Sequence, residues 1–427
     1  MNHRKKVVLL NSLFLLYIHL SQAFTITDPG FFALGGDLVE SGTVIRVSTS
    51  NLTVDLGGYM VSGGTNGIVI DAGLSNVTVQ NGRIDSNTRG VTVGSNCSDI
   101  TLQNITLKNC ARRTVEVNGT DASPVMRLGI FNIISELSTT AASVTDSVMS
   151  FSNVVELTMD NVKLQKNGAS TVNLTGMSFI NCSKGSIENV TIINNQGATF
   201  QGFFIQNTTS FLMNQANVRM NTATGDSVGF RLTGGINTNG NFIQNCLVSN
   251  NMSTNGPLVG FEFLPFVTRN VLIGCVASNN ITTAAVLSAD CWGFNFDQPT
   301  FCNILNCRAL NNQAQGNAFF NFGIGFNIGS SGGSGTATND CEFNNCWAVG
   351  NAGAAPSRSF GIRASSNNVA NTNAYLFCVA FGNGNVLANQ ITQGTGTSGA
   401  VPSGSTRTDT IDSLNGRRVE YGNLSMT

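Results

Sequence analysis

The sequence predicts an all-β fold, a right-handed parallel β-helix (solenoid) of about twelve coils. Two recurring motifs and one compositional feature predict it. A short alternating motif returns at intervals of mostly 25 to 39 residues, and a Gly-Phe motif precedes many of its copies. Charged residues make up only 11% of the chain, whereas hydrophobic residues make up 41%. Regularly spaced apolar positions on a weakly charged chain point to a packed repeat core.

The first motif reads Asn, apolar, any, apolar, any, then Asn or Gly. It occurs as NLTVDLGG from Asn51, NVTVQNG from Asn76, NITLKNC from Asn104, NVKLQKNG from Asn161 and NVTIINN from Asn189. Later copies are QANVRMN from Gln215, NCLVSNN from Asn245, GCVASNN from Gly274, NCRALNN from Asn306, NCWAVGN from Asn345 and FCVAFGN from Phe377. Start-to-start separations are 25, 28, 57, 28, 26, 30, 29, 32, 39 and 32 residues, and NIISEL from Asn132 divides the gap of 57. Each copy alternates as a strand does, with inward side chains at period two. Strands separated by such lengths are not hairpin partners; they stack in parallel. Leucine-rich repeats share the period but need a helix per unit, which the Gly and Asn content disfavours. Asn and Gly at strand ends fit tight corners because both tolerate positive φ, and stacked Asn amides can hydrogen-bond along the column.

The second motif reads NGIVIDAG at 66–73, RGVTVGS at 89–95, QGFFIQN at 201–207 and VGFRLTG at 228–234. It continues as VGFEFLP at 259–265, WGFNFDQ at 292–298, IGFNIGS at 324–330 and FGIRASS at 360–366. Alternation points Phe261 and Phe263, Phe294 and Phe296, and Phe326 and Ile328 inward. The chain has 27 Phe but only two Trp and four Tyr. Phe fills a narrow core without bringing in a polar atom. Residues 110–150 break the rhythm and read as irregular, with a side loop.

These motifs resemble the repeat region of the right-handed parallel β-helix, or pectin-lyase-like, superfamily. FTITDPGFFALGGDLVESGTVIRV resembles the first coil of its secreted members, and VDLGGYMVSG their first full turn. The resemblance covers about residues 24–385. It implies a fold rather than a function, since the superfamily includes lyases, hydrolases, epimerases, tailspikes and adhesins.

The chain divides into residues 1–23, the solenoid at 24–385, and a Gly/Ser/Thr-rich tail or capping strap at 386–427. The first segment reads as a secretory signal peptide: His3, Arg4, Lys5 and Lys6, then a mostly apolar stretch from Val7 to Leu20, then Ser21-Gln22-Ala23. It is too short for a membrane span, and no later segment is apolar enough for one. Localisation is therefore expected outside the cytoplasm: secreted, extracellular, cell-surface or periplasmic. Loss of residues 1–23 removes three of 22 basic residues and none of 23 acidic ones, so the formal charge becomes −4. Nothing in that balance favours nucleic acid.

All eleven Cys follow residue 23. Cys246, Cys275, Cys307, Cys346 and Cys378 share one motif position, which predicts an inward column. Coils lie roughly 4.8 Å apart, whereas bonded cysteines bring their Cβ atoms to about 3.8 Å. Buried thiols are therefore favoured over bridges. No paired C-x-x-C spacing supports zinc, and no metal is expected.

Both histidines, His3 and His19, fall in the leader. Ser–His and Cys–His nucleophiles are thus excluded, and the Gly-His-Gly element of polygalacturonase-like β-helices is missing. A lyase remains open, with Lys or Arg as base and Ca2+ neutralising a uronate; otherwise no cofactor is implied and no catalytic residue is assigned. The outward column of the second motif runs Arg231, Glu262, Asn295 with Asp297, Asn327 and Arg363. It reads as an exposed polar stripe: either a salt-bridge ladder or a surface for sugar hydroxyls. A second cluster comprises Arg83, Asp85, Arg89, Lys108, Arg112 and Arg113, with Gln80 expected beside Lys108. Late-coil outward positions Leu247, Val276, Leu310, Trp347, Val349, Val379 and Phe381 form an apolar stripe. Either the tail or a second subunit in a homo-oligomer would cover it.

The sequence therefore favours a non-catalytic surface β-helix that presents a face to a polysaccharide, cell-surface glycan or protein. A polysaccharide lyase or other carbohydrate-active enzyme acting on a uronate polymer is the alternative. A purely structural spike module is the third reading.

Overall fold

The computed structural model describes residues 5–9, 14–18, 24–139, 146–234, 238–265, 267–283, 289–315, 321–329, 341–354, 359–364, 374–376, 378–381, 383, 391–393, 406–408 and 411–412. Ser21-Gln22-Ala23, Phe377 and most of residues 384–427 lie outside this set. The chain forms two compact units, Met1–Gly197 and Ala198–Thr427. Each is a parallel β-helix, as expected, and the described residues contain no helix.

In the N-terminal unit the first sheet stacks Leu52–Asp55, Ser75–Asp85, Ser98–Lys108, Val125–Glu136, Val154–Gln165 and Ser186–Ile193 in parallel. The second sheet stacks Phe24–Ile26, Thr43–Val47, Asn66–Ile70, Arg89–Val93, Val115–Asn118, Asp146–Ser152 and Asn173–Ile180. Residues 5–9 and 14–18 pair as an antiparallel hairpin, and Val7, Val8 and Leu9 pair with Leu34, Ala33 and Phe32.

Two expectations fail in this unit. Residues 110–150 are largely regular, because Val115–Asn118 and Val125–Glu136 are in-register strands. The register between the copies at Asn76 and Asn104 also differs from the sequence reading. Gln80 lies opposite Gln103, and Lys108 lies opposite Asp85. The reason is that each long strand contains two motif-like segments five residues apart. Their heads have positive φ: Asn76 and Asn81, Asp99 and Asn104, Arg127 and Asn132, Glu156 and Asn161. Asn104 therefore belongs to the column of Asn81, whose Oδ1 accepts from Asn104 Nδ2 at 3.1 Å. Asn132 and Asn161 continue that column at 2.9 and 2.8 Å, so NIISEL is a true copy.

In the C-terminal unit the second sheet stacks Thr199–Gln206, Ser227–Thr233, Leu258–Phe263, Cys291–Phe296, Gly323–Ile328, Ser359–Ala364 and Ile391–Gln393. The first sheet contributes two short strands per coil, for example Val271–Ile273 and Val276–Ser278. A small third sheet contains Thr222–Ala223, Met252–Ser253, Ile281–Thr282 and Gln313–Ala314. The tail segments Thr406–Thr408 and Ile411–Asp412 add further parallel strands to the first sheet.

Three inward columns hold this unit. Phe203, Phe230, Phe261, Phe294 and Phe326 stack ring on ring at 4.6, 4.9, 4.9 and 4.7 Å. The glycine before each Phe is required by space. A Cβ on Gly260 would sit 2.4 Å from Gly293 O and 2.7 Å from Ala277 Cβ. Asn221, Asn251, Asn280, Asn312, Asn351 and Asn383 form a buried amide ladder. Each Nδ2 donates to the next Oδ1 at 2.9–3.1 Å. Each ladder Oδ1 from Asn251 onward also accepts from the preceding ladder residue's backbone N–H. Cys246, Cys275, Cys307, Cys346 and Cys378 form the third column, all buried with free thiols. Their Sγ atoms donate to backbone carbonyls, as Cys275 does to Ile243 O at 3.4 Å.

Candidate functional site

The outward side of the second sheet in the C-terminal unit carries the candidate site. Strands here pair Arg231 with Glu262, Glu262 with Asn295, Asn295 with Asn327, and Asn327 with Arg363. Each coil thus places one residue of the column directly on the next. Arg231 Nε donates to Glu262 Oε2 at 2.5 Å. Asn295 Nδ2 donates to Glu262 Oε1 at 3.5 Å, and Asn327 Nδ2 to Asn295 Oδ1 at 2.8 Å.

The expectation of an exposed stripe is corrected. Glu262, Asn295 and Asn327 are only 6%, 3% and 3% exposed. The neighbouring outward column, Val259 and Ile324, is buried as well. Period-two alternation tells which side of a strand a residue faces, but not whether that side is covered. The two columns approach each other at the strand Ser359–Ala364. The Arg363 guanidinium lies 5.5 Å from the Phe360 ring centroid and 5.1 Å from that of Phe322.

Burial leaves this face short of hydrogen bonds. Among the described residues, Trp292 Nε1, Asp297 Oδ1 and Asn327 Oδ1 are enclosed without a partner. Such groups cost free energy unless something satisfies them. Burial raises the Asp297 carboxyl, and the nearby Glu262 charge raises it further. Asp290, which sequence reasoning missed, is pushed up to about 6 by burial; the Phe322 N–H, at 2.9 Å from Oδ1, and the Arg363 charge only partly oppose this. It stands just before the strand Cys291–Phe296, and its sequence neighbours carry no mark of that burial. The face therefore combines unpaired donors and acceptors with the aromatic side chains of Trp292, Phe322 and Phe360. It can hold a ligand by hydrogen bonds and ring contact. A carboxyl poised near neutral pH can also exchange a proton.

The second sequence cluster divides between two sheets of the N-terminal unit. Arg83 pairs with Asp85, and Lys108 Nζ with Glu136 at 3.1 Å, on the first sheet. Arg89, Arg112 and Arg113 gather on the second sheet around Glu116 and Asp146. Of the late-coil apolar stripe, Leu247, Val276, Leu310 and Val349 are half-buried and Val379 is buried. Trp347 is exposed, with the Arg308 guanidinium 5.7 Å from its ring centroid. The side chain of Phe381 lies outside the described residues. No group of His, Cys, Asp and Glu among the described residues is arranged to hold a metal ion. Among the described residues, no helix is long and apolar enough to cross a membrane.

No protein-family model and no curated protein matches the chain. Solved structures do. The mannuronan C-5 epimerase AlgE6 A-module of Azotobacter vinelandii is 12% identical with a TM-score of 0.44, over 90% of this chain and 88% of that one. The endo-xylogalacturonan hydrolase from Aspergillus tubingensis is 9% identical with a TM-score of 0.30, over 88% and 91%. The Streptococcus pneumoniae surface protein and adhesin PfbA is 10% identical with a TM-score of 0.32, over 83% and 88%. At such identities no residue role transfers, and the site rests on this chain's own geometry.

Proposed function

We propose that this β-helix works outside the cytoplasm and binds carbohydrate, without turning it over, on the outward face of the second sheet in its C-terminal unit. The observation that carries the reading is the set of buried, unpartnered polar atoms on that face: Trp292 Nε1, Asp297 Oδ1 and Asn327 Oδ1. Half-buried Trp292, Phe322, Phe360 and Arg363 give a ligand its approach, and sugar hydroxyls, which both donate and accept, suit the unpaired donor and acceptors behind them. Aromatic rings beside polar groups suit the apolar and polar faces of a pyranose. Parallel coils repeat at roughly 4.8 Å, close to the length of a sugar ring, so an oligosaccharide can meet successive coils. Glu262 is already committed to Arg231, which favours binding over catalysis.

Fluorescence tests this directly, because the chain has only two tryptophans, Trp292 and Trp347. Neutral and uronate oligosaccharides titrated into the full chain should change the emission of the wild type and of Trp347→Phe, but not of Trp292→Phe. No change with any glycan, by fluorescence and by calorimetry, would sink the reading.

One observation favours the enzymatic alternative: the Asp290 carboxyl titrates near neutrality beside the Arg363 charge. Incubation with uronate polymers, with and without Ca2+, separates the two. Appearance of unsaturated-product absorbance that is lost in Asp290→Asn would make the protein a lyase.

A further inference from the structure

The N-terminal unit carries a charge arrangement that the carbohydrate face does not use. Arg89, Glu116, Arg113, Asp146 and Arg112 form one alternating chain of ion pairs. Arg89 Nε lies 2.7 Å from Glu116 Oε2, and Arg113 Nη1 pairs with Glu116 Oε1. Arg112 grips Asp146 with two hydrogen bonds, Nε to Oδ2 at 3.2 Å and Nη2 to Oδ1 at 3.1 Å. Arg113 Nε stands 3.8 Å from Asp146 Oδ1 and has no hydrogen-bond partner, although it is buried.

The chain begins and ends on arginine, so three guanidinium groups face two carboxylates. The carboxylates lie beneath, with side chains 10% and 0% exposed, while the arginine side chains are 26–36% exposed. Residues 140–145, which precede Asp146, carry no acidic side chain to balance the excess. Each guanidinium has five N–H donors in a fixed fork, and its carboxylate neighbour takes at most two of them here. Buried carboxylates holding several arginines in place, with donors left over, make a preorganised oxyanion cradle.

We propose that Arg89, Arg112 and Arg113 bind an oxyanion, the sulfate ester or carboxylate group of an acidic saccharide. The site does not depend on the C-terminal carbohydrate face. Glu116 and Asp146 act as positioning residues, and the arginines touch the ligand.

The test uses the full chain at constant ionic strength, with inorganic sulfate, glucuronate and glucose as probes against a chloride background. Calorimetry should show that wild type binds sulfate, glucuronate or both, whether or not glucose binds at the C-terminal face; the anion whose affinity falls in the Arg89 variants identifies the source. Arg89→Gln should weaken that binding about tenfold or more, the usual worth of a charged hydrogen bond. Glu116 keeps Arg113 in that variant, so the fold should survive. Arg89→Lys, which keeps the charge but loses the fork, gives an intermediate affinity and serves if the Gln variant fails to fold. Arg127→Gln, which breaks an exposed pair with Asp99 on the other sheet, should leave affinity unchanged. Absence of anion binding by wild type would overturn the proposal. Equal losses in Arg127→Gln and Arg89→Gln would do the same, since they would reduce the effect to overall charge.

Discussion

Arg231 and Glu262 lie opposite each other on adjacent coils, with Nε to Oε2 at 2.5 Å, and the carboxylate side chain is 8% exposed against 25% for the arginine. The pair therefore seats a charge inside the covered face of the second sheet. Removing the partner of a buried charge costs far more than the pair contributes.

Arg231→Met should accordingly destabilise the protein by about 3 kcal/mol, the lower end expected for a broken buried pair because the arginine is part-exposed. Adding Glu262→Leu to that variant should recover most of the loss. Urea denaturation of the single and double variants checks both statements. A double variant as weak as the single one would mean that packing, not charge, is lost.

The asparagine ladder gives a second expectation. Asn280 donates to Val248 O and Asn312 Oδ1 and accepts from the N–H and Nδ2 of Asn251. Asn280→Ala takes this partner from Val248 O and from both Asn251 donors inside the core, while Asn312 Oδ1 keeps the backbone N–H of residue 280, at about 1–3 kcal/mol for each group left unsatisfied. The total loss should exceed about 3 kcal/mol. Asn245→Gly, at an exposed positive-φ corner, removes only one hydrogen bond, to Asn214 Oδ1. It should cost less than about 1 kcal/mol. Similar losses in thermal melts of the two would argue against a ladder.

Phe294 is fully buried between the rings of Phe261 and Phe326. Phe294→Ala should cost about 3–5 kcal/mol, because neighbouring coils fix the cavity walls and limit collapse. A cost below about 1 kcal/mol in chemical denaturation would place that ring at the surface.

Asp290 provides a pH signature. Its carboxyl titrates near 6 in the folded chain, raised by burial, against about 3.9 when unfolded. Between these values the folded state holds the proton and the unfolded state does not. Stability is therefore lost as pH rises from about 4 through 6, by about 2–3 kcal/mol for this group. Asp290→Asn should remove that loss, so the variant gains on wild type as pH rises from 4.5 to 7.5. Parallel melting curves across that range would show that Asp290 is not buried as described.

The sequence by itself determined the coil repeat and the contents of its interior. Period-two alternation with Gly-Phe copies put Phe230, Phe261 and Phe294 inside, and the shared position of Cys246, Cys275 and Cys307 made one column of them. It also placed Arg231 beside Glu262, since copies of one motif stack in register. Local pattern suffices here, because which face of a strand a residue occupies is a property of its own backbone. Tertiary structure alone decided the rest. Two positive-φ heads five residues apart fit the same pairing equally well, so only the folded stack fixes Asn104 on Asn81 rather than Asn76. Burial of Asn295 and Asn327 depends on what lies over the outward face, which a strand's own alternation does not specify. The gathering of Arg89, Arg112 and Arg113 around Glu116 and Asp146 is likewise a property of the folded stack. Charges up to 57 residues apart, from Arg89 to Asp146, meet there because the coils bring successive strands of the second sheet together.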